Sequence, residues 1–382
     1  MNVGIDASRA FVSERTGTEK YSLKLLEALG KVDDRNRYIM YTRTLKGLTL
    51  QGGSGGRFAV REIGWPRLWT QGGLAARTWV DRLDVLFIPA HTLPVLRRPR
   101  LKTVVTIHGL EYEYLPQYYQ FPQKVYLTWS TRYAVRSATR LIAVSRFTAS
   151  ELVSRMGADS SKIRVIHEGV DALGYSKSYS DNVKHSVLEG FGVRKPYVLF
   201  VGVVQPRKNL VRLVEAFSLT VNRLLGERKG FPDLTLVIAG KLGWMVEETL
   251  KAPQKFGVAD RVKFLGFVED KHLPFLMQEA ELLVQPSLTE GFGLPVLEAM
   301  AAGTPVVAAR AGALPEVCGD AAILVDPVDV VNIADGLFQG LTHKEMRRRL
   351  TKLGLERVKQ FTWEKAAQKT LEVLEEAVGE SR

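Results

Sequence analysis

Two glutamates with seven residues between them, Glu290 and Glu298, bracket a glycine-rich turn in residues 282–300, LLVQPSLTEGFGLPVLEAM. The apolar run ending near Gln285 predicts a buried strand. A short loop then delivers Glu290, and Gly291, Phe292, Gly293 and Leu294 lead into a helix that carries Glu298. Backbone N–H groups left bare at such a helix start, together with the helix dipole, favour an anion such as a pyrophosphate. Carboxylates beside a phosphate site make chemical sense when the ligand also offers many hydroxyl donors. Glu298 can accept from the vicinal hydroxyls of a ribose, and Glu290 can meet the hydroxyls of a second sugar. Nucleotide sugars provide both.

A second cluster begins at residue 197, YVLFVGVVQPRKNLVRLVEAF. Its strand ends at Gly202, and Pro206, Arg207 and Lys208 precede a helix with Leu210, Leu213, Val214 and Phe217 on one face. Two cations at that turn can clamp a diphosphate and neutralise charge as a sugar bond breaks. His108 stands just past the buried strand TVVTI, at the end where open α/β sheets bind ligands. His91 follows VLFIPA in the same way and is the weaker candidate. Gly17, before the helical YSLKLLEAL, is explained equally well by a simple N-cap turn. No histidine pairing suggests a metal site, and Glu111-Tyr112-Glu113 only imitates an Asp-x-Asp motif. No metal is expected. Cys318, the sole cysteine, excludes an internal disulfide framework and is expected to be a small buried residue instead of a nucleophile.

The elements that must position these groups follow from periodicity. Short β-branched runs alternate with longer segments of helical period, the pattern of parallel α/β sheets. The first succession of strands is expected at 3–7, 38–42, 85–88, 103–107, 141–144 and 163–166. The second is expected at 197–202, 234–239, 262–265, 282–285, 305–308 and 322–325. Between the two, residues 171–195 are polar and read as the interdomain boundary. The glycine-rich 51–56 reads as a flexible loop. A last helix is expected over 362–378.

The length of 382 residues predicts two domains, and 46% hydrophobic residues suffice for two cores. The net charge of +12 is uneven, since residues 1–190 hold 28 Lys and Arg against 17 Asp and Glu. Basicity of one half fits an anionic membrane, an anionic substrate or nucleic acid, but no recognition helix or RNA-binding motif is present. No run approaches the ~18 apolar residues of a membrane-spanning helix, and MNVGIDASRA lacks the build of a secretory signal.

Glu290, seven residues and Glu298, with GFGLPVLEAMA between and after and GTPVVAARAGALPEV following, resemble the signature of the family-4 glycosyltransferases of GT-B architecture. The likeness extends over almost the whole chain, and the PRKN turn is similar to that of bacterial mannosyltransferases of polysaccharide assembly. The resemblance implies an α/β GT-B fold, two Rossmann-like domains with parallel sheets facing a central cleft. An N-terminal acceptor domain is expected over 1–175, a C-terminal nucleotide-sugar domain over 176–360, and a helix over 361–382 returning toward the first.

It further implies a retaining, metal-independent hexosyltransferase that needs no cofactor beyond its nucleotide-sugar substrate. The hexose is first of all mannose from GDP-mannose, with a UDP-sugar donor or a GT-B sugar-nucleotide epimerase as alternatives. The acceptor is a glycan or a lipid-linked molecule in cell-surface polysaccharide synthesis. Glu290 and His108 are then catalytic. Arg207, Lys208, Gly17 and residues Gly291, Phe292, Gly293 and Leu294 hold the donor diphosphate, and Glu298 holds the ribose. This chain departs from the family in having Val203 where many relatives have Arg, and Gly109 where many have Asp. The location implied is cytoplasmic, with peripheral contact on the anionic inner face of the membrane and no nucleic-acid partner.

Overall fold

A computed structural model of the chain describes residues 1–12, 14–45, 57–119 and 123–379. The loop at 51–56 read in the sequence lies outside the described residues. The chain packs as two compact units, Met1–Gly169 with Trp363–Arg382, and Val170–Thr362.

The first unit is built on β1 (Asn2–Asp6), β2 (Arg37–Thr42), β3 (Phe58–Glu62), β4 (Val85–Ile88), β5 (Lys102–Ile107), β6 (Arg140–Ala143) and β7 (Ile163–Val165). They form one sheet in the order β3-β2-β1-β4-β5-β6-β7, every pair parallel. The second unit is built on β8 (Tyr197–Val201), β9 (Thr235–Ala239), β10 (Val262–Gly266), β11 (Leu282–Gln285), β12 (Val306–Ala309) and β13 (Ala322–Val325). Their order is β10-β9-β8-β11-β12-β13, again all parallel.

Parallel strands are joined by crossover helices that cover both sheet faces, so their sequences can be apolar throughout. The strands VLFI of β4 and YVLFV of β8 are buried at every position. The helix Leu210–Gly226 turns Leu210, Leu213, Val214, Phe217, Val221 and Leu224 inward at the expected spacing. These residues close a core with β8, β9 and the helix Val330–Thr342.

In each sheet the strand order reverses once, between β1 and β4 and between β8 and β11. At such a switch point neighbouring crossovers leave on opposite faces, which opens a crevice at the carboxyl ends of the strands. The candidate residues cluster at these two places.

Residues 171–195 differ from the boundary loop expected. They carry helices Ala172–Ser176 and Asp181–Gly190, the first capped by Asp171, whose side chain accepts from Gly174 N–H. Tyr175 and Leu188 are their buried anchors. Gln278 donates to Tyr175 O at 2.7 Å, and Lys184 and Lys195 both pair with Glu279. The polar composition reflects short helices lying on the surface of the second unit.

The helix Trp363–Val378 belongs to the first unit. Its Glu375 pairs with Arg35 at 3.1 Å, and its Glu376 takes both Arg140 and Arg164 from β6 and β7. No helix among the described residues is long and apolar enough to cross a membrane.

Gly202 and Gly240 follow the carboxyl ends of β8 and β9 and touch backbone to backbone. A Cβ at Gly240 would stand 1.8 Å from the Gly202 carbonyl oxygen. Neither chain can yield without breaking the Gly202 N–H bond to Ala239 O at 2.9 Å or the Gly240 N–H bond to Gly266 O at 2.8 Å. Gly240→Ala is therefore expected to destabilise the second unit by about 1–3 kcal/mol, read as a lower urea midpoint. An unshifted midpoint would show that the two strand ends can part freely.

Candidate functional site

At the switch point of the second unit, the turn after β8 meets the loop after β11. Glu290 is buried there and accepts from Lys208 through one carboxylate oxygen and from Arg207 at 3.1 Å through the other. Ser287 Oγ and Gln285 Nε2 donate to the Lys208-bound oxygen at 2.6 and 2.9 Å. Burial alone would raise the Glu290 pKa. The Lys208 and Arg207 charges and the bonds from Lys208 and Ser287 outweigh burial and hold the carboxyl far below the usual range. Glu290 is thus a permanent carboxylate at any physiological pH. That suits it to steady positive charge and rules it out as a proton donor.

The framework around the three charges is polar and specific. Asn209 adopts a left-handed backbone, φ 63°, which asparagine tolerates better than most residues. From there its amide donates to Pro286 O at 3.0 Å and to Pro327 O at 2.6 Å, tying the cationic turn to the loops after β11 and β13. Leu288 N–H donates to Arg207 O at 2.9 Å, so the segments bearing opposite charges are also joined through the backbone. Gly312, at φ 60°, lies against the Glu290 backbone, and a Cβ there would stand 2.6 Å from both Glu290 N and Glu290 O. The next residue, Ala313, donates its N–H to Glu290 O at 2.9 Å.

Gly291, Phe292, Gly293 and Leu294 run directly into the helix Leu294–Ala301, with Gly293 left-handed at φ 109°. The Phe292 and Leu294 side chains are buried, the former edge-on to Phe361 with centroids 5.9 Å apart. What this segment can present to a ligand is backbone. Glu298 is buried about one turn into the helix.

Gly17 and His108 belong to the first unit and form no cluster with those residues within a single unit. Gly17 opens the helix Gly17–Val32 behind a capping box, in which the Glu19 carboxylate accepts from Thr16 N–H at 3.1 Å and from the Thr16 hydroxyl. No atom lies within 4 Å of the place a Gly17 Cβ would occupy, so packing does not demand glycine there.

His108 follows β5 and is engaged on both ring nitrogens. Nε2 faces Pro89 O at 2.8 Å and Nδ1 faces Glu168 Oε1 at 3.1 Å. The carbonyl can only accept, so Nε2 carries hydrogen, and Glu168 fixes the ring from its other edge. Tyr21 packs edge-on to the ring at 4.7 Å. His91, after β4, accepts from His108 N–H through Nε2 at 3.4 Å. Burial, with the nearby His108 and Arg9, pushes its pKa down to about 3. Its backbone is held at φ 25°, and its buried Nδ1 has no hydrogen-bond partner among the described residues. Both His108 nitrogens are thus engaged within the unit, and among the described residues His91 holds the uncommitted one.

No three His, Cys, Asp or Glu residues among the described ones come together as a metal site. Glu113 is occupied by Thr128 and Arg132. Cys318 is buried, and burial pushes its thiol up to about 12.

Residues 16–172 match the model of Glycosyltransferase Family 4, and residues 185–357 that of Glycosyl transferases group 1. The O-antigen chain mannosyltransferase B of Escherichia coli is 32% identical over 279 residues, covering 71% of this chain and 69% of the relative. The chain belongs to the group 1 glycosyl transferases. The MMP alpha-(1->4)-mannosyltransferase of Mycolicibacterium hassiacum is 34% identical over 247 residues, 64% of this glycosyltransferase and 55% of that protein. Sucrose-phosphate synthase of Thermosynechococcus elongatus overlays it with a TM-score of 0.78 at 19% identity over 100% of both chains. HepE of Anabaena in complex with UDP-glucose overlays at 0.76 and 20% identity over 98% of this chain and 100% of that one. At those identities the likeness concerns the fold, the GT-B class with two parallel α/β sheets.

Four residues that brace the candidate site escaped the sequence reading. Glu168 lies in HEGVD, where a carboxylate directly after a histidine at a strand end is itself a signal. Asn209 was visible in PRKN, and Gly312 in AGALPEV, as residue types that tolerate a left-handed backbone. Ser287 gave no signal.

Because Lys208 is as buried as its partner, Glu290→Gln should destabilise the protein by roughly 3 kcal/mol at neutral pH. A depressed carboxyl pKa stabilises above the unfolded value, and this contribution fades as pH falls toward the folded value. The loss of stability of the parent protein from roughly pH 5 downward should therefore be shallower in Glu290→Gln. Parallel unfolding curves against pH would contradict the ion-pair assignment. Gly312→Ala should displace Glu290 and lower turnover at least about tenfold, with substrate KM changed less. Measuring kcat and KM separately checks it.

Proposed function

We propose that this glycosyltransferase moves a hexose from a nucleoside diphosphate to a hydroxyl of a glycan or lipid-linked acceptor in polysaccharide synthesis, with retention at the anomeric carbon and without a metal ion. Mannose from GDP-mannose is the first candidate donor, since relatives at 32% and 34% identity are named mannosyltransferases. A UDP-hexose is the second.

The observation that carries the reading is the Glu290, Lys208 and Arg207 cluster at the β8/β11 switch point. A leaving diphosphate needs positive charge that is already in place, and Lys208 and Arg207 are fixed there by Glu290, Thr289 O and the Asn209 brace. They supply the charge that a divalent cation supplies in other phosphoryl-binding sites. As the bond from C1 to the phosphate oxygen breaks, its electron pair goes to that oxygen. The acceptor hydroxyl bonds to C1 on the same face, and its proton passes to the departing phosphate oxygen. C1 becomes oxocarbenium-like between these events, and a carboxylate that stays ionised is the group to steady it.

The backbone of Gly291 to Leu294 takes the phosphates at the helix start, and Glu298 holds the ribose. In the first unit, Glu168 holds His108 in one orientation toward the reacting sugar.

A panel of nucleotide sugars tests the donor. GDP-mannose at a hundred-fold excess over its Kd should stabilise the protein by about 2.7 kcal/mol, and UDP-hexoses less. NMR of the product should show the anomeric configuration of the donor, and transfer should persist in EDTA. Glu290→Gln should bind the donor nucleotide and transfer at under about 1% of the parent rate. Unimpaired turnover in that variant would sink the assignment, and an inverted product would remove the proposed same-face attack.

A further inference from the structure

Glu290 and its cations stand at the carboxyl ends of the second sheet, and a cavity of about 560 Å³ opens at the amino ends of β11 and β12. One wall is the helix Lys344–Val358, which brings Arg347, Arg348, Thr351 and Lys352 to the cavity from a single face. The turn Gly303-Thr304-Pro305 forms part of the other. All of these residues belong to the second unit.

The helix carries six Lys and Arg against two Glu, although residues 191–382 as a whole hold 25 against 24 Asp and Glu. The neighbouring helix Leu294–Ala301 ends beside these cations but is finished without them. The carbonyls of Glu298, Ala299 and Met300 accept from the N–H groups of Ala302, Thr304 and Gly303, and Gly303 O accepts the Thr351 hydroxyl at 3.1 Å. Arg347 is fixed in place by Glu281. Arg348 pairs with Glu345, and with the two side chains 76% and 85% exposed such a pair holds little energy. Lys352 makes no ion pair among the described residues.

We infer that this cavity binds a hexose phosphate, apart from the catalytic centre. Its volume is that of a small-molecule site and far more than a phosphate ion fills. Two guanidinium groups and an ammonium group suit a phosphate monoester. The hydroxyls of Thr351 and Thr304 donate their hydrogens to Gly303 O and Met277 O, which leaves their oxygens to accept from sugar hydroxyls. Glu356, at the same wall, adds a carboxylate acceptor. No aromatic ring among the described residues lines the cavity, which favours a sugar over a nucleobase.

The inference stands apart from the transfer reading, and its test needs no acceptor. Mannose 6-phosphate and glucose 6-phosphate are titrated into the full chain by calorimetry. Saturable binding is expected, at least about tenfold tighter than that of inorganic phosphate or of the free hexose, and weaker as salt is raised. Arg348→Ser with Lys352→Ser should lower the affinity at least about tenfold. Leu355→Trp, which fills the cavity and leaves its charge alone, should do the same. Both variants should keep the parent's circular dichroism and its hydrolysis of nucleotide sugar. Failure of both hexose phosphates to bind, or binding unchanged in either variant, would overturn the proposal. So would displacement by GDP or UDP, which would move the compound to the donor site, or inorganic phosphate binding as tightly, which would leave a site for anions alone.

Discussion

Burying the Glu290 carboxylate requires that two cations be brought to it from a turn more than eighty positions away in the sequence. That requirement organises much of the second unit. An unpaired buried charge is among the costliest defects a fold can carry, so the turn after β8 and the loop after β11 must adopt one relative geometry or lose their stability together. The Asn209 amide, the Leu288 to Arg207 backbone bond and the Gly312 contact serve that geometry. The ion cluster is weak evidence of net stabilisation, since an apolar replacement could pack as well. Its worth lies in fixing position. A reacting centre gains most from charges that need not move when the transition state forms.

The same topological device occurs twice. Each sheet reverses its strand order once, and polar residues gather near each reversal. In the second unit the result is charged, with both oxygens of Glu290 bonded. In the first it is aromatic and hydroxyl-rich: Tyr21, whose hydroxyl lies 3.2 Å from Thr106 Oγ1, the two histidines and Glu168. One buried nitrogen there is unmatched among the described residues, on a residue whose backbone is left-handed without being glycine. Local cost of this kind persists where the surroundings impose it, and it concentrates at places that act on ligands.

Strands such as β4 and β8 were legible because full burial on both faces leaves an unbroken apolar run. Glu290, Lys208 and Arg207 were legible as chemistry, each by residue type beside a glycine or proline turn. Their mutual pairing was not, because nothing local in the chain records that two distant turns meet. The reading gave the cations to a diphosphate and the carboxylate to a sugar, and the fold shows the three bound to one another. Glu168 was obscured for the same reason, lying sixty positions from His108. In 171–195 the obstacle was different. Short helices with only Tyr175 and Leu188 buried do not display a periodic apolar face, so composition suggested a linker.

The helix Trp363–Val378 gives the first unit an unusual history during synthesis. Its sheet is complete once Val165 has been made, yet the arginines of β6 and β7 must wait for Glu376, which is translated after the whole of the second unit. The second unit is one uninterrupted stretch and can reach its final form on the ribosome. The unit translated first is thus the last to be finished, and until then the β6 and β7 arginines lack their carboxylate partner.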